Sequence, residues 1–385
     1  MSSERMRLFA LQTVFALNGL GLAVWFPRIP DVKAALGLDV LALAFSLFGL
    51  PAGTMLGFLV VGRVSRRLGL RRTCLWGGSI FLLSFIGPAL ASNALALGLT
   101  LFLCGLSIAT IEVAMNAKAS QTERVLKRRI MTRCHAFWSF GTVTGALIGG
   151  AFAQGEVSFL AQQLLLQPVF AALNVVAALR LMPDEPAQDA QDAPAGRFVL
   201  PSRALLILCL VPIGALLTEG AMMEWSALLL REHVGASPFA TAATFAVFAL
   251  SMALTRLAGD RLAEIFGPQR VITRSALLMG VAMLGFGLSP GLWLSVPMAA
   301  LAGLGCGNIY PLTMSVVGQL PGARTERNVA TLALIAFTAF LVGPPAIGIM
   351  ARLLGLPVAL AALAPLGLVP LLLMAQAKPP RTASG

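Results

Sequence analysis

The sequence has few charged residues for its length. Only 11% of its 385 residues are Asp, Glu, Lys or Arg, against roughly 25% in soluble domains. Hydrophobic residues make up 58% of the chain, and the mean hydropathy is +0.86. Apolar runs recur that are long enough to cross roughly 30 Å of hydrocarbon. These runs are continuous rather than alternating, so they indicate membrane-spanning helices and exclude β-barrel strands.

Several kinds of functional site have no signal in the sequence. None of the five cysteines has C-x-x-C spacing, so we expect neither a zinc site nor a disulfide framework. The two histidines, His135 and His233, are too far apart in sequence to indicate a metal site. The chain has no P-loop, which argues against ATP-driven transport within it. We therefore expect no enzyme activity, no catalytic residue, no metal and no cofactor.

The net charge of +12 could indicate a nucleic-acid partner. The basic residues, however, lie in the short gaps between apolar runs, as they do in cytoplasmic loops of membrane proteins. The run KRRIMTR at 127–133 is typical of an anchor at anionic lipid headgroups. We therefore expect contact with membrane lipid, no nucleic acid, and a monomer.

About twelve apolar spans follow one another along the chain. The first contains Asn18 and lacks a small-residue cleavage site, so we expect a retained helix rather than a signal peptide. The one long polar segment, PDEPAQDAQDAPAGRFVLPSR, follows the sixth span and is typical of a flexible linker. The predicted spans are 8–27, 40–62, 73–92, 95–117, 134–153, 160–182, 203–230, 238–258, 270–289, 291–317, 329–350 and 354–376.

These spans predict an all-α membrane protein with twelve transmembrane helices in two pseudo-symmetric six-helix bundles. The bundles are residues 1–182 and 203–385, and residues 183–202 form a cytoplasmic linker between them. If both termini are cytoplasmic, the outer loops hold only four of the 28 Lys and Arg residues. That asymmetry agrees with the positive-inside rule.

The two halves resemble each other in sequence. CGLSIATIEVAMN (104–116) aligns without gaps with AGLGCGNIYPLTM (302–314), which places Thr110 over Asn308 and Glu112 over Tyr310. NG at 18–19 matches EG at 219–220, and GRVSRRLGLRR (62–72) recurs loosely as GDRLAEIFGPQR (259–270). Together these matches indicate a duplicated six-helix unit, an organisation that secondary transporters use for alternating access.

The segment GRVSRRLGLRR also resembles the major facilitator superfamily signature G-x-L-A-D-R-x-G-R-R. Gly62, Arg67, Gly69 and Arg71 match it, whereas Arg66 occupies the acidic position. The resemblance covers essentially the whole chain and implies the fold of that superfamily, with helices one, four, seven and ten lining a central cavity. In that superfamily the acid pairs with a neighbouring helix. The basic residue Arg66 at this position implies that the contact on the cytoplasmic side differs in this chain.

A narrower resemblance concerns two motifs in equivalent helices. Glu112 with Asn116, and Tyr310 with Pro311 and Thr313, resemble motifs of the fucose permease branch. EGAMMEWSALLL (219–230) and GPPAIG (343–348) resemble bacterial inner-membrane proteins of the MosC and YbjJ type. The fucose permease resemblance implies proton-coupled sugar transport with Glu112 as the acid. That branch has a second acid, in helix one. This sequence has no acid there, and Asn18 is the nearest polar residue.

Glu112 lies inside an apolar helix, where an acid costs roughly 2.5 to 3.5 kcal/mol on insertion scales. Burial favours the neutral carboxyl group and a nearby cation favours the charged one. A carboxyl group that moves between such environments would load and release a proton. The alternative is a static salt bridge from Glu112 to Arg133 or His135. Glu219, in the seventh span, is the second candidate for proton coupling, and its alternative role is a hydrogen bond to a backbone break.

Arg28 and Glu224 lie at the outer level of the first and seventh spans. The resemblance implies that these two helices face each other, so we expect the two residues to pair as a gate. The alternative is that both face water. The motif residues Arg67 and Asp260, and His135 at the start of the fifth span, are further gating candidates.

Several intramembrane polar side chains are candidates for binding solute. Neutral amides suit hydroxyl-rich ligands because they both donate and accept hydrogen bonds. Their alternative role is interhelical hydrogen bonding. The segment GTVTGALIGG (141–150) has small residues every four positions and predicts close helix packing. The predicted solute contacts are Asn18, Thr110, Asn116, Asn308, Tyr310 and Trp25.

We expect a secondary transporter of the bacterial inner membrane that moves a small polar solute, such as a sugar or polyol, with the proton gradient as its energy source. One alternative is an exporter of drugs or metabolites with the same fold. Another is a membrane sensor that keeps the transporter scaffold without transporting. The absence of any appended soluble domain weighs against the sensor.

Overall fold

The computed structural model describes residues 3–184, 202–318, 320 and 325–374, and within these every regular element is helical. Twelve of its helices are long and apolar enough to cross a membrane, which confirms the predicted fold class. The spans, numbered α1 to α12, are Glu4–Ala35, Val40–Leu68, Leu70–Leu90, Ala94–Leu126, Met131–Gln154, Phe159–Leu179, Leu205–Glu224, Pro238–Phe266, Pro268–Gly287, Leu292–Gly318, Thr331–Leu354 and Leu356–Met374.

Besides α1, which runs to Ala35 rather than 27, three helices continue well beyond their predicted ends. α2 runs to Leu68, α4 to Leu126 and α8 to Phe266, whereas the apolar runs predict ends at 62, 117 and 258. A hydropathy pattern detects only the part of a helix that suits hydrocarbon. Polar residues such as Lys118 and Arg261 continue the same helix because its backbone bonds remain satisfied outside the apolar layer.

Contacts divide the described residues into two compact units. The first holds the described residues of Met1–Asp189 and Ser226–Ala246, and the second holds those of Ala190–Trp225 and Val247–Gly385. A short helix, Ser226–Glu232, therefore groups with the first unit although it directly follows α7. The predicted linker, 183–202, lies mostly outside the described residues, and the predicted bundle boundaries stay predictions.

Glycines bring α1 and α5 into backbone contact within the first unit. A Cβ atom added to Gly141 would lie 2.0 Å from the carbonyl oxygen of Ala16, and one added to Gly145 would lie 2.4 Å from that of Leu20. No side chain fits at such distances, so the two backbones approach as closely as glycine permits. This confirms the packing role predicted for GTVTGALIGG. A similar contact between α2 and α4, at Gly53 and Gly105, was not predicted from the sequence.

Large apolar side chains cover much of the outside of the helices. Leu59, Leu95 and Leu353 each leave more than 70% of their surface exposed. Exposed leucines at this density are unsuited to water, but they suit lipid chains. The packing of the helices therefore agrees with their composition in indicating a membrane protein.

Candidate functional site

Helix α1 is interrupted between Ala23 and Phe26, where a 3₁₀ turn follows the sequence WFPRIP. At the interruption, backbone carbonyl groups lose their helical hydrogen bonds. A buried carbonyl group in a membrane then needs another donor. Side-chain amides of α6 supply it: Gln167 Nε2 donates to Gly21 O at 3.1 Å, and Gln162 Nε2 donates to Val24 O at 3.0 Å. Both glutamines are fully buried. Sequence reasoning missed them, although uncharged amides inside an apolar span were a usable signal.

Arg28 ends this turn and is itself buried. Its Nη1 donates to Gln162 Oε1 and its Nη2 to Val157 O, both at 2.8 Å. Its Nε lies 2.6 Å from Asp31 Oδ2, and the guanidinium stacks over the Phe159 ring at 5.7 Å. These contacts exclude the alternative in which Arg28 faces water.

The contacts of Arg28 extend to the Ser226–Glu232 helix through two further ion pairs. Arg231 Nη1 donates to Asp31 Oδ1, so Asp31 lies between two arginines. Lys33 Nζ lies 2.6 Å from Glu232 Oε1. We refer to the five charged residues Arg28, Asp31, Lys33, Arg231 and Glu232 as the Arg28 cluster. The cluster ties the segment that follows α7 to the end of α1, and all of it lies within the first unit.

Glu112 is partly exposed in the interior of α4. Among the described residues its carboxylate has no ion-pair or hydrogen-bond partner, so the static salt bridge to Arg133 or His135 is not formed. Asn116 lies one turn further along, and its Nδ2 donates to the Glu112 backbone oxygen at 2.9 Å. The spacing of four residues places the two side chains on the same face of the helix.

Polar residues at the far end of α4 hold the loop between α2 and α3. Lys118 is completely buried, and its Nζ donates to Asp184 Oδ1 and Gln121 Oε1, both at 2.7 Å. Asp184 in turn accepts from the Arg71 backbone N–H at 3.1 Å. Gly69, with φ of +80°, brings this loop so close that an added Cβ would lie 2.5 Å from Asp184 Oδ2. An acid five residues beyond the end of α6 therefore binds the segment in which Arg66 replaces the signature acid.

The other predicted residues of the first unit lie in varied surroundings. Asn18 is buried, and its Nδ2 has no partner among the described residues. Trp25 is fully buried against Phe159, with ring centroids 5.5 Å apart, so it offers no free ring face to a solute. The Thr110 hydroxyl donates to Leu106 O of its own helix. Trp25 is therefore too enclosed to stack on a solute, whereas the predicted solute contact of Thr110 stays a prediction.

Two predicted gating residues of the first unit are exposed. His135 packs edge-on against Phe15 of α1 with ring centroids 5.4 Å apart. The Arg67 side chain makes no polar contact with the described residues, and the neighbouring Arg71 contacts α6 instead. Their gating roles stay predictions.

In the second unit, Glu219 of α7 forms an ion pair with Arg256 of α8. Arg256 Nη2 lies 3.3 Å from Glu219 Oε2 and 3.5 Å from Oε1. Glu219 therefore pairs with a cation rather than with a break in its own backbone. Sequence reasoning missed Arg256, which lies within the predicted span 238–258 and is the only basic residue there. Its isolation in that span was the available signal.

A second contact fixes the position of Arg256. Its Nε donates to the backbone oxygen of Gly307 in α10, at 3.3 Å. In a continuous helix that oxygen would accept from the residue four positions on, but Pro311 has no N–H to donate. The helix is interrupted there, between Cys306 and Ile309. Pro311 thus leaves a carbonyl group without its helical donor, and Arg256 of a neighbouring helix supplies one.

The second unit holds four other residues that were predicted to bind solute or to form a gate. Asn308 is buried against Gly259, and its Nδ2 has no partner among the described residues. Tyr310 stacks edge-on with Phe337 at 6.2 Å. Glu224 is half-buried and Asp260 is exposed. The predicted pair of Glu224 with Arg28 would join the two units, and it stays a prediction.

Comparison with known proteins decides the family. The sequence profile described as the Major Facilitator Superfamily matches residues 11–230 and 213–385. The chain belongs to the Major Facilitator Superfamily. It is therefore a multi-pass membrane transporter, which confirms the superfamily predicted from GRVSRRLGLRR and the repeated halves.

Relatives of this superfamily member include bacterial proteins of nearly the same length. An uncharacterised transporter of Yersinia pestis is 28% identical over 350 residues, which are 90% of this chain and 89% of the relative. The membrane protein MosC of Rhizobium meliloti is 26% identical over 369 residues, 95% of this chain and 89% of the relative. The predicted resemblance to MosC is confirmed, whereas the fucose permease branch stays a prediction.

Solved structures of other superfamily members share the fold. A D-xylose–proton symporter superposes with a TM-score of 0.78 at 12% identity, covering 98% of this chain and 99% of its own. The nucleoside transporter NupG superposes with a TM-score of 0.76 at 14% identity, covering 98% and 100%. At these identities the likeness establishes the fold alone.

Proposed function

We propose that this transporter moves a small polar solute, of the sugar or polyol class, by alternating access coupled to protons across the bacterial inner membrane. Both termini are cytoplasmic in this proposal. The observation that supports it best is Glu112, a partly exposed acid inside α4 without a cation beside it. An ionised carboxylate that serves only stability would need a partner at this depth.

The coupling follows from what surrounds the Glu112 carboxyl group. Without a neighbouring cation, the charged form depends on water for its stabilisation. When the site opens to water, the proton can leave, and when the site closes, the neutral form is favoured. Each passage between the two states can therefore carry one proton together with the solute.

The Arg28 cluster supports a gate at the outer end of α1. Alternating access requires one bundle to move relative to the other. The segment Ser226–Glu232 continues from α7, yet it is paired through Arg231 and Glu232 with Asp31 and Lys33. In this proposal, movement of the Ser226–Glu232 segment away from the end of α1 breaks these ion pairs.

Exchanging the charges of Lys33 and Glu232 tests the gate. Lys33→Glu or Glu232→Lys alone places like charges opposite each other, so either should change the transport rate. The expected change is at most about fivefold, because an exposed ion pair contributes roughly 0.2 to 1 kcal/mol. The double variant should recover the rate of the unmodified protein in the same liposome assay. A double variant no better than the two single ones would contradict the pairing.

The function itself is tested with purified protein in liposomes. A thermal-shift screen of sugars, polyols and their acids first identifies solutes that bind. An inward pH gradient should then drive accumulation of a binding solute, and an uncoupler should abolish it. Solute-driven alkalinisation of the outer medium would show that protons move with the solute. Binding solutes that never cross the membrane would instead favour a sensor, and outward pumping against a gradient would favour an exporter.

A further inference from the structure

The Glu219–Arg256 pair is an unusual feature for the interior of a membrane protein. Gly307 is at least ten residues from either end of α10, and Arg256 lies two residues before the end of the apolar run 238–258, although its helix continues to Phe266. An arginine inside an apolar run is costly in lipid and is typically found facing protein or a water-filled space. It therefore requires either a structural or a functional explanation.

We propose that Arg256 binds the carboxylate of an anionic, hydroxylated solute of the sugar-acid class, and that Glu219 occupies Arg256 when the solute is absent. This inference rests on the proposed transport function and names the solute class for it. The solute carboxylate and the Glu219 carboxylate compete for one guanidinium group. Removing the Glu219 charge would release Arg256 and so favour binding of the solute.

The geometry of the pair agrees with a replaceable partner. Arg256 reaches both Glu219 oxygens with Nη2 alone, at 3.3 and 3.5 Å, whereas strong charge-assisted bonds are about 2.7 to 2.9 Å long. Its Nε is held by Gly307 O. Nη1 makes no hydrogen bond with the described residues. The backbone of α10 thus anchors one edge of the guanidinium and leaves donors available for a second carboxylate.

Exposure of the two partners differs in the direction that the proposal requires. The Arg256 side chain is 36% exposed and the Glu219 side chain 13%. The cation is therefore more accessible than the acid with which it pairs. Asn308, next to Gly307 at the same break, has an amide nitrogen without a partner among the described residues. An amide beside a guanidinium suits a ligand that carries both hydroxyl and carboxylate groups.

The sequence repeat shows that the cation is not a general requirement of the fold. Aligning Gly62 with Gly259 places Leu59 at the position of Arg256. Leu59 is 72% exposed and apolar. Only the second half therefore carries an intramembrane arginine at this position, and a packing role shared by the two halves does not explain it.

Few other groups compete with Glu219 for Arg256. Helices α9, α10, α11 and α12 pack against α7. Besides Arg256, the buried thiol of Cys306 in α10 lies close enough to Glu219 to interact with it. Glu219 is consequently the acid that a solute carboxylate would displace from Arg256.

Thermal-shift titrations with matched probes test the proposal. The probes are D-gluconate and D-glucuronate, with sorbitol and D-glucose as their neutral counterparts. The two acids should bind the intact transporter more tightly than their neutral counterparts do. Arg256→Gln should weaken their binding by about 10- to 100-fold, and Arg256→Lys should weaken it less. Arg261→Gln, an exposed arginine of the same helix, is the matched control and should bind as the intact protein does.

Glu219→Gln separates the proposed competition from a purely structural ion pair. It leaves Arg256 permanently free, so the acids should bind it more tightly than they bind the intact protein. If neither acid binds the intact protein or Glu219→Gln, the proposal is overturned. Binding that is unchanged in Arg256→Gln, or binding of the neutral probes alone, overturns it as well.

Failure of the inference can be distinguished from failure of the proposed function. Proton-driven uptake of sorbitol or D-glucose without binding of either acid would leave the transport function standing and remove only the solute class. Binding of the acids that requires Arg256, without any movement of solute into liposomes, would leave the site standing and remove the transport function.

Discussion

Replacing Glu112 with glutamine should lower proton-driven accumulation of solute by about tenfold for each unit of pH gradient. One proton moving down a gradient of one pH unit supplies about 1.4 kcal/mol, which corresponds to a tenfold concentration ratio. Glutamine keeps the size of the side chain and removes its titration. The loss should therefore appear in the accumulation ratio, measured in liposomes with the membrane potential held at zero.

Exchange of solute across the membrane should survive in the same variant. Counterflow between labelled and unlabelled solute needs the binding site and the conformational change but no net proton movement. Glu264→Gln is the matched control, because Glu264 is an exposed acid at the end of α8. An unchanged accumulation ratio in Glu112→Gln would remove the coupling role from this residue.

Replacing Gly141 with alanine should destabilise the first unit strongly. The added methyl group would lie 2.0 Å from the Ala16 carbonyl oxygen, and a backbone oxygen cannot rotate away as a side chain can. Overpacking a well-packed interior costs roughly 1 to 3 kcal/mol, and we expect the upper end of that range here. The thermal unfolding temperature of the detergent-solubilised protein, followed by fluorescence-detected size exclusion, measures the effect.

Gly62→Ala provides the comparison for this substitution. Gly62 is also within a helix, but an added Cβ there meets nothing nearer than Arg66 Nη1 at 3.8 Å. Since alanine favours helix over glycine by up to about 1 kcal/mol, Gly62→Ala should be neutral or stabilising. Equal unfolding temperatures for the two variants would show that α1 and α5 do not approach each other at Gly141.

The local pattern of the sequence was enough to predict the membrane helices and the family. Each of the twelve predicted spans overlaps an observed one, because hydrocarbon thickness sets the length of an apolar run directly. The small residues of GTVTGALIGG predicted close packing for a similar reason: helix spacing depends on residues four positions apart in one segment. Glu112 could be identified from the sequence because an acid inside an apolar run is rare, whichever helices the run packs against.

Only the tertiary structure decided which polar groups are partners. Arg256 pairs with Glu219 from another helix, Asp184 binds the loop that lacks its signature acid, and Gln162 and Gln167 satisfy the carbonyl groups freed in α1. Each of these contacts joins residues at least 37 positions apart. A hydropathy pattern records how a residue suits its surroundings, but it does not record which helix will face it. Those pairings depend on the side of each helix that packing turns inward, and that is fixed only when the helices assemble.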